Sequence, residues 1–172
     1  MLTACQVHDR SSGPHAVSHP SYFMAPTSEP PVSPAARRTM QANRGHDTGP
    51  ELAIRAILHR AGLRYRVNVP LPFNRRRRAD IVLSRAGLFV FIDGCFWHGC
   101  PEHFVTPKTR TQFWVDKVEG NRARDRDTDE HLMQMGFTPI RIWEHVEPVR
   151  ASEIVLDAYL ASITKTRPRK LQ

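Results

Sequence analysis

Cysteine is scarce in this 172-residue chain: there are three, two of them five positions apart. That count excludes a disulfide framework and favours a reducing compartment in which thiols are free to bind metal. Long apolar runs are missing as well. No stretch nears the roughly eighteen residues of a membrane-crossing helix, so no membrane partner is expected through a spanning segment. The start lacks a basic region followed by an apolar one, so no secretory leader is expected. Leu2-Thr3-Ala4-Cys5 resembles a lipoprotein cleavage box, but nothing hydrophobic precedes it. Acids are also short, 17 against 25 Lys and Arg, a formal net charge of +8. Such a surplus points to a polyanionic partner, nucleic acid first and a membrane surface second.

The length fits one domain of ordinary size, and 40% apolar content is enough for a core. Residues 1–36 hold six of the fourteen prolines and three of the nine histidines with few aliphatic residues. They read as a disordered tail, or as an extension ahead of a start at Met24 or Met40. Residues 37–165 read as the folded domain and 166–172 as a basic tail. Thr48-Gly49-Pro50-Glu51 has the spacing of a capping box with Pro in the first turn. A helix follows to about Gly62, with Leu52, Ala53, Ala56, Ile57 and Ala61 on one face. RYRVNV predicts a strand with Tyr65, Val67 and Val69 inward, ADIVL a second, and LFVFID a third buried on both faces. Residues 111–135 predict a long helix, PIRIW a fourth strand, and 152–163 a closing helix capped by Ser152. The order is αβββαβα.

The segment FIDGCFWHGCPEH, residues 91–103, carries most of the chemistry. Cys95, Cys100 and His103 place three donors suited to tetrahedral zinc on one loop. A strand PIRIW parallel to LFVFID would bring His145 to the same sheet edge and close a structural site; His131 on the long helix is the rival fourth ligand. Asp80 and Asp93 belong to neighbouring strands and can gather at one end of the sheet. Hard oxygen ligands suit magnesium. A charge on a buried strand needs a partner, and the alternative for Asp80 is a salt bridge to one of Arg75 to Arg78. His98 has the near-neutral imidazole of a proton acceptor. Glu51 either orients it or serves only the helix cap. Phe96-Trp97 is either a core plug or a wedge that unstacks a duplex, with Phe113-Trp114 as company. The Arg75 to Arg78 run, with Arg77 and Arg78 nearest Asp80, reads as a phosphate clamp or as a solvated loop.

GCFWHGCPEH, TRTQFWVDKVEGNRARDRD and RIWEH together resemble the very short patch repair DNA mismatch endonucleases, from about Arg37 to Pro148. The resemblance implies a restriction-endonuclease-like fold of the PD-(D/E)xK type, a mixed α/β sheet flanked by helices. It implies nicking of one strand 5′ to the thymine of a T:G mismatch in double-stranded DNA, with catalytic magnesium and structural zinc. It places Asp80 at the metal-binding aspartate, with the Ile92 carbonyl as a further ligand, His98 at the catalytic histidine and Glu51 at the helix acid that supports it. Cys95, Cys100, His103 and His145 fall at the zinc positions. Phe96, Trp97 and Trp114 match residues that enter the duplex, Met40 a segment inserting from the other groove, and Lys117 and Asn121 positions that contact DNA. A monomer in the bacterial cytoplasm, associated with the nucleoid and open to other repair proteins, is implied.

The chain departs from the pattern in four places. Ala79 stands where a proline usually precedes the aspartate. Asp93 stands where the general motif has lysine and some members a second histidine, and it reads as a metal ligand or a second proton acceptor. The Cys100 to His103 spacing is one residue longer than in some relatives, and His145 replaces a cysteine. Two other functions fit the residues: a zinc-stabilised DNA-binding module without catalysis, and a nuclease of the same fold acting on another DNA target.

Overall fold

A computed structural model describes residues 46–166, with side chains through Thr164. The expectations for residues 1–36, for Met40 and for 167–172 lie outside the described residues. Seven elements follow in the expected order: α1 (Gly49–Arg60), β1 (Arg66–Pro70), β2 (Arg78–Leu83), β3 (Leu88–Asp93), α2 (Thr111–Gln134), β4 (Thr138–Trp143) and α3 (Pro148–Thr166). The strands form one sheet in the order β1-β2-β3-β4. The first three run antiparallel, and β4 lies parallel to β3 with Asp93 opposite Trp143. A parallel neighbour requires a crossover, which the 24-residue α2 supplies.

Alternation along the strands sorts the core into two clusters. Ile81, Leu83, Leu88, Val90 and Ile142 meet Ile54 and Leu58 of α1 and Ala151 and Val155 of α3. Val82, Phe89 and Phe91 meet Leu132 of α2. Helices thus cover both faces, and β3, buried at five of six positions, is the spine. Its continuous apolar run is what such a strand requires.

Three local expectations are corrected. The buried stripe of α1 is Glu51, Ile54 and Leu58, while Leu52 is 51% exposed. Ile54 and Leu58, one turn apart, are the pair that packs with the sheet and with Ala151 and Val155 of α3, and this rotation turns Glu51 inward. Val67 is 44% exposed rather than inward, because β1 is an edge strand. Ser152 is not a cap: α3 begins at Pro148, a residue suited to a first turn, and the buried Ser152 hydroxyl donates back to the Pro148 carbonyl at 2.7 Å. At the other end of α1, Gly62 takes φ +84°, and the Leu63 N–H reaches the Leu58 carbonyl, the helix stop expected there.

Candidate active site and metal centre

The loop after β3 and the turn after β4 lie side by side because the two strands are parallel. Glu144 ties them: its backbone N–H donates to the Asp93 carbonyl at 3.0 Å, and its carboxylate accepts the Cys95 N–H at 2.7 Å. Gly99, at φ +65°, lets the loop press on α2, where a Cβ would meet the Val118 side chain at 2.5 Å. The result gathers donor atoms of Cys95, Cys100, His103 and His145 within 4.8 Å of one another. Cys95 Sγ is 3.1 Å from His145 Nδ1 and 4.0 Å from His103 Nδ1; Cys100 Sγ is 3.6 Å from His103 Nδ1 and 3.7 Å from His145 Nδ1. Tetrahedral bonds to zinc imply donor separations of about 3.5 Å, so the set fits such an ion. Burial and the neighbouring Cys100 sulfur push the Cys95 thiol up to about 11, a cost that a divalent cation removes. His131, the rival ligand, instead stacks on Phe73 and bonds the Asp127 carbonyl at 2.7 Å.

Asp80 lies where β2 leaves β3. Ala79 and Val82 belong to one core cluster and Ile81 and Leu83 to the other, so the two-residue alternation breaks across Asp80. The β2–β3 ladder starts only at Ile81. The Ile92 N–H donates instead to the Asp80 carboxylate at 2.7 Å. The suggested salt bridge is not made: Arg77 pairs with Asp127, and Arg78 bonds Asn68. Burial pushes the Asp80 carboxyl up to about 6, the Ile92 amide opposes this, and the charges of Glu51 and Asp93 add to it. Three carboxylates therefore act on one spot, an arrangement a cation would relieve.

Because the folded carboxyl holds its proton up to about pH 6 while the unfolded one releases it near 3.8, stability is lost as pH rises between those values. Without added magnesium, the wild type should lose up to about 3 kcal/mol relative to Asp80→Asn between pH 4 and pH 7. Urea melts of both proteins at the two pH values measure this. A constant difference would contradict the burial of an uncompensated carboxyl.

His98 is held differently from expectation. Its Nδ1 lies 2.6 Å from Asp125 Oδ2 and 3.7 Å from Asp93 Oδ1. Glu51 does not orient it; its carboxylate is occupied by the Asp47 N–H, the Thr48 hydroxyl and Arg55, each at 2.9 Å. Neither half of the expected capping box is made, since Glu51 accepts the Asp47 N–H in place of that of Thr48, and Thr48 makes no side-chain bond to the helix amides; Glu51 still ties down the chain entering α1. Burial lowers the His98 pKa, but the Asp125 hydrogen bond and the Asp93 and Asp125 charges outweigh it, and the net shift is upward. Asp93 bonds Arg141 through both oxygens at 2.9 and 3.0 Å. Asp93, His98, Asp125 and Arg141 line a cavity of about 360 Å³ together with Arg122 and Arg126.

The aromatic residues are neither core nor free. Phe96, Trp97 and Trp114 are half-buried against one another, with ring centroids 5.1 to 6.1 Å apart. Phe113 at their edge is 46% exposed. Lys117 is exposed on α2. Asn121 is buried, and its amide donates to the Trp97 carbonyl at 2.6 Å, so it fixes the aromatic loop from beneath. Asp125 and Arg141 belong to the site although the sequence reading does not single them out. The rule that singled out Asp80, charge on a buried strand, applies equally to Arg141 within PIRIW. Asp125 is hidden in the alternating charges of RARDRD, which look like a solvated helix face.

A mixed sheet covered by helices on both faces, with carboxylates and a carboxylate-held imidazole at one end of its central strands, is consistent with a nuclease-like fold. A family model described as DNA mismatch endonuclease Vsr matches residues 32–103. The chain is 40% identical over 129 residues to the type II nicking enzyme V.NaeI of Lentzea aerocolonigenes, covering 74% of this chain and 78% of the relative. It is 38% identical over 116 residues to the type II nicking enzyme V.XorIIP of Xanthomonas oryzae pv. oryzae, covering 66% and 82%. It is 34% identical over 109 residues to the DNA mismatch endonuclease Vsr of Escherichia coli, covering 62% and 67%. The chain belongs to the Vsr family of DNA mismatch endonucleases, and it is a DNA endonuclease.

Proposed function

We propose that this endonuclease nicks one strand of double-stranded DNA 5′ to the thymine of a T:G mismatch, by magnesium-dependent hydrolysis within a PD-(D/E)xK-type fold. The observation that carries the reading is the His98–Asp125 pair beside Asp93, whose charge also acts on Asp80. With Nδ1 anchored, the Nε2 side of His98 is left to take a proton from an attacking water. Asp125 stabilises the imidazolium that results. Asp80 and the Ile92 carbonyl would hold magnesium, which supplies charge neutralisation at the scissile phosphate and leaving oxygen when bound. Glu51 supports this reading from the Asp80 side, through its charge, rather than at the imidazole.

Cys95, Cys100, His103 and His145 would hold zinc, whose part is to fix the loop that carries His98, Phe96 and Trp97. The aromatic cluster with Trp114 would probe the base stack, where a wobble pair yields at lower cost than a matched one. Exposed Lys117 suits phosphate contact, Arg77 and Arg78 are assigned to DNA as part of the basic run before Asp80, and Met40 on the family resemblance alone. Arg77 and Arg78 would have to exchange their bonds to Asp127 and Asn68 for phosphate. Action as a monomer in the bacterial cytoplasm fits the same reading. Among the described residues, no helix is long and apolar enough to cross a membrane.

Nicking assays on matched, T:G and abasic duplexes, with and without magnesium, test the proposal. Strand-specific nicking of T:G alone, and only with magnesium, is expected. Mismatch binding without cleavage would favour a DNA-binding module, and equal cleavage of matched DNA a nuclease with another target.

A further inference from the structure

Two carboxylates face one imidazole nitrogen in this site. Asp125 and Asp93 approach His98 Nδ1 at 2.6 and 3.7 Å, and both stand at the cavity wall. Left alone, two anions so placed repel each other and compete for the same N–H. Donor atoms of Asp93, His98 and Asp125 lie within 4.8 Å of one another, a spacing that suits a metal ion. A guanidinium already serves these acids. Arg141 Nη1 donates to both oxygens of Asp93 and stands 3.3 Å from Asp125 Oδ1; Nη2 reaches the Asp125 carbonyl at 3.3 Å. Nε donates to both oxygens of Asp129 at 3.1 and 2.9 Å. The Phe91 ring lies 4.6 Å beneath the guanidinium, closing its apolar side.

We propose that Arg141 is a positioning residue that commits the His98 imidazole to Asp125 by holding Asp93 back and pinning Asp125 from behind. Arg141 satisfies both Asp93 oxygens and leaves Asp125 Oδ2 as the acceptor for His98. Asp129, one helical turn beyond Asp125, clamps the opposite edge of the guanidinium. The planar fork is what allows one side chain to serve three carboxylates at once. A fixed cation here also keeps the divalent ion on the Asp80 side. The inference rests on the proposed role of His98, and its test is built to fail separately from that role.

The test uses Arg141→Met and Arg141→Lys in the full chain, with three readouts: thermal melting, single-turnover nicking and binding of a T:G duplex, and the His98 Nδ1–H signal in protein carrying 15N-histidine. Arg141→Met is expected to lower the nicking rate by roughly a hundredfold with duplex binding within about threefold of wild type. The hydrogen-bonded Nδ1–H signal should shift and broaden as Asp93 competes with Asp125 for the proton. Arg141→Lys keeps the charge without the fork and should recover roughly tenfold of the rate together with part of the signal. Arg141→Met with wild-type nicking and an intact signal overturns the inference, as does a lysine variant that folds yet restores neither. If Arg141→Met does not fold, Asp129→Asn carries the test: a weakened signal and slower nicking support the inference, and no change in either refutes it. If the wild type nicks no duplex, the assignment of His98 fails, and the Nδ1–H signal alone decides whether Arg141 positions the ring.

Discussion

His98→Ala is expected to reduce nicking of a T:G duplex by about a thousandfold or more while leaving duplex affinity largely intact, since a positioned general base contributes about 10²- to 10⁴-fold. The ring is half-buried and lines the cavity it shares with Arg122 and Arg126. Its removal takes away the proton acceptor but none of the groups proposed to grip DNA. Asp80→Ala should lose as much by another route, because the carboxylate assigned to magnesium disappears. Asp125→Asn should also lose most of the rate, because the amide can donate to Nδ1 and leave the proton on Nε2, the nitrogen that must accept one. Single-turnover rates with enzyme in excess, alongside gel-shift affinities, separate these effects. Full activity in His98→Ala or Asp80→Ala would refute the assignment, and loss of binding in step with rate would mean that the substitutions damage the fold.

Cys95→Ala carries the second large effect, and it falls on stability. Cys95 anchors the loop three times: its thiol joins the four-donor cluster, its N–H is held by Glu144, and its carbonyl accepts the Cys100 N–H at 2.8 Å. Only the first is lost in the substitution. Structural zinc sites contribute apparent binding energies of about 10–16 kcal/mol in small domains, so even a fraction of that exceeds what a domain of this size can spare. The expected result is a large drop in melting temperature, with zinc content falling from one equivalent toward none. Chelation of the wild type should reproduce the drop, and added zinc should reverse it. Because the loop also carries His98, nicking should vanish at temperatures where the variant has begun to melt. An unchanged melting curve would count against the zinc site.

The order of elements was legible from local signals such as the apolar run of β3 and the Gly62 stop of α1. The Cys and His cluster was legible for a topological reason, since a strand parallel to β3 must bring His145 to the loop. What failed was rotation about helix axes. The sequence offers two apolar stripes on α1, one through Leu52 and Ile57 and one through Ile54 and Leu58, and only packing against the sheet and α3 selects the second. The partner of His98 was assigned to Glu51 on α1, whereas α2 supplies Asp125 from 27 residues downstream. No spacing in the sequence states which turn of a 24-residue helix will lie over the end of β3; packing of Leu132, Val118 and Asn121 decides it. Arg141 was readable in principle, since a cation in the middle of an apolar strand needs acids nearby, and three were found.

Crystals of the protein with a T:G duplex and manganese in place of magnesium test the central claim most directly. The account predicts an anomalous peak beside the Asp80 carboxylate, with the His98 ring, still bonded to Asp125, facing the phosphate on the 5′ side of the thymine. A peak seated between Asp93 and Asp125, or an imidazole turned away from the phosphate, would contradict it.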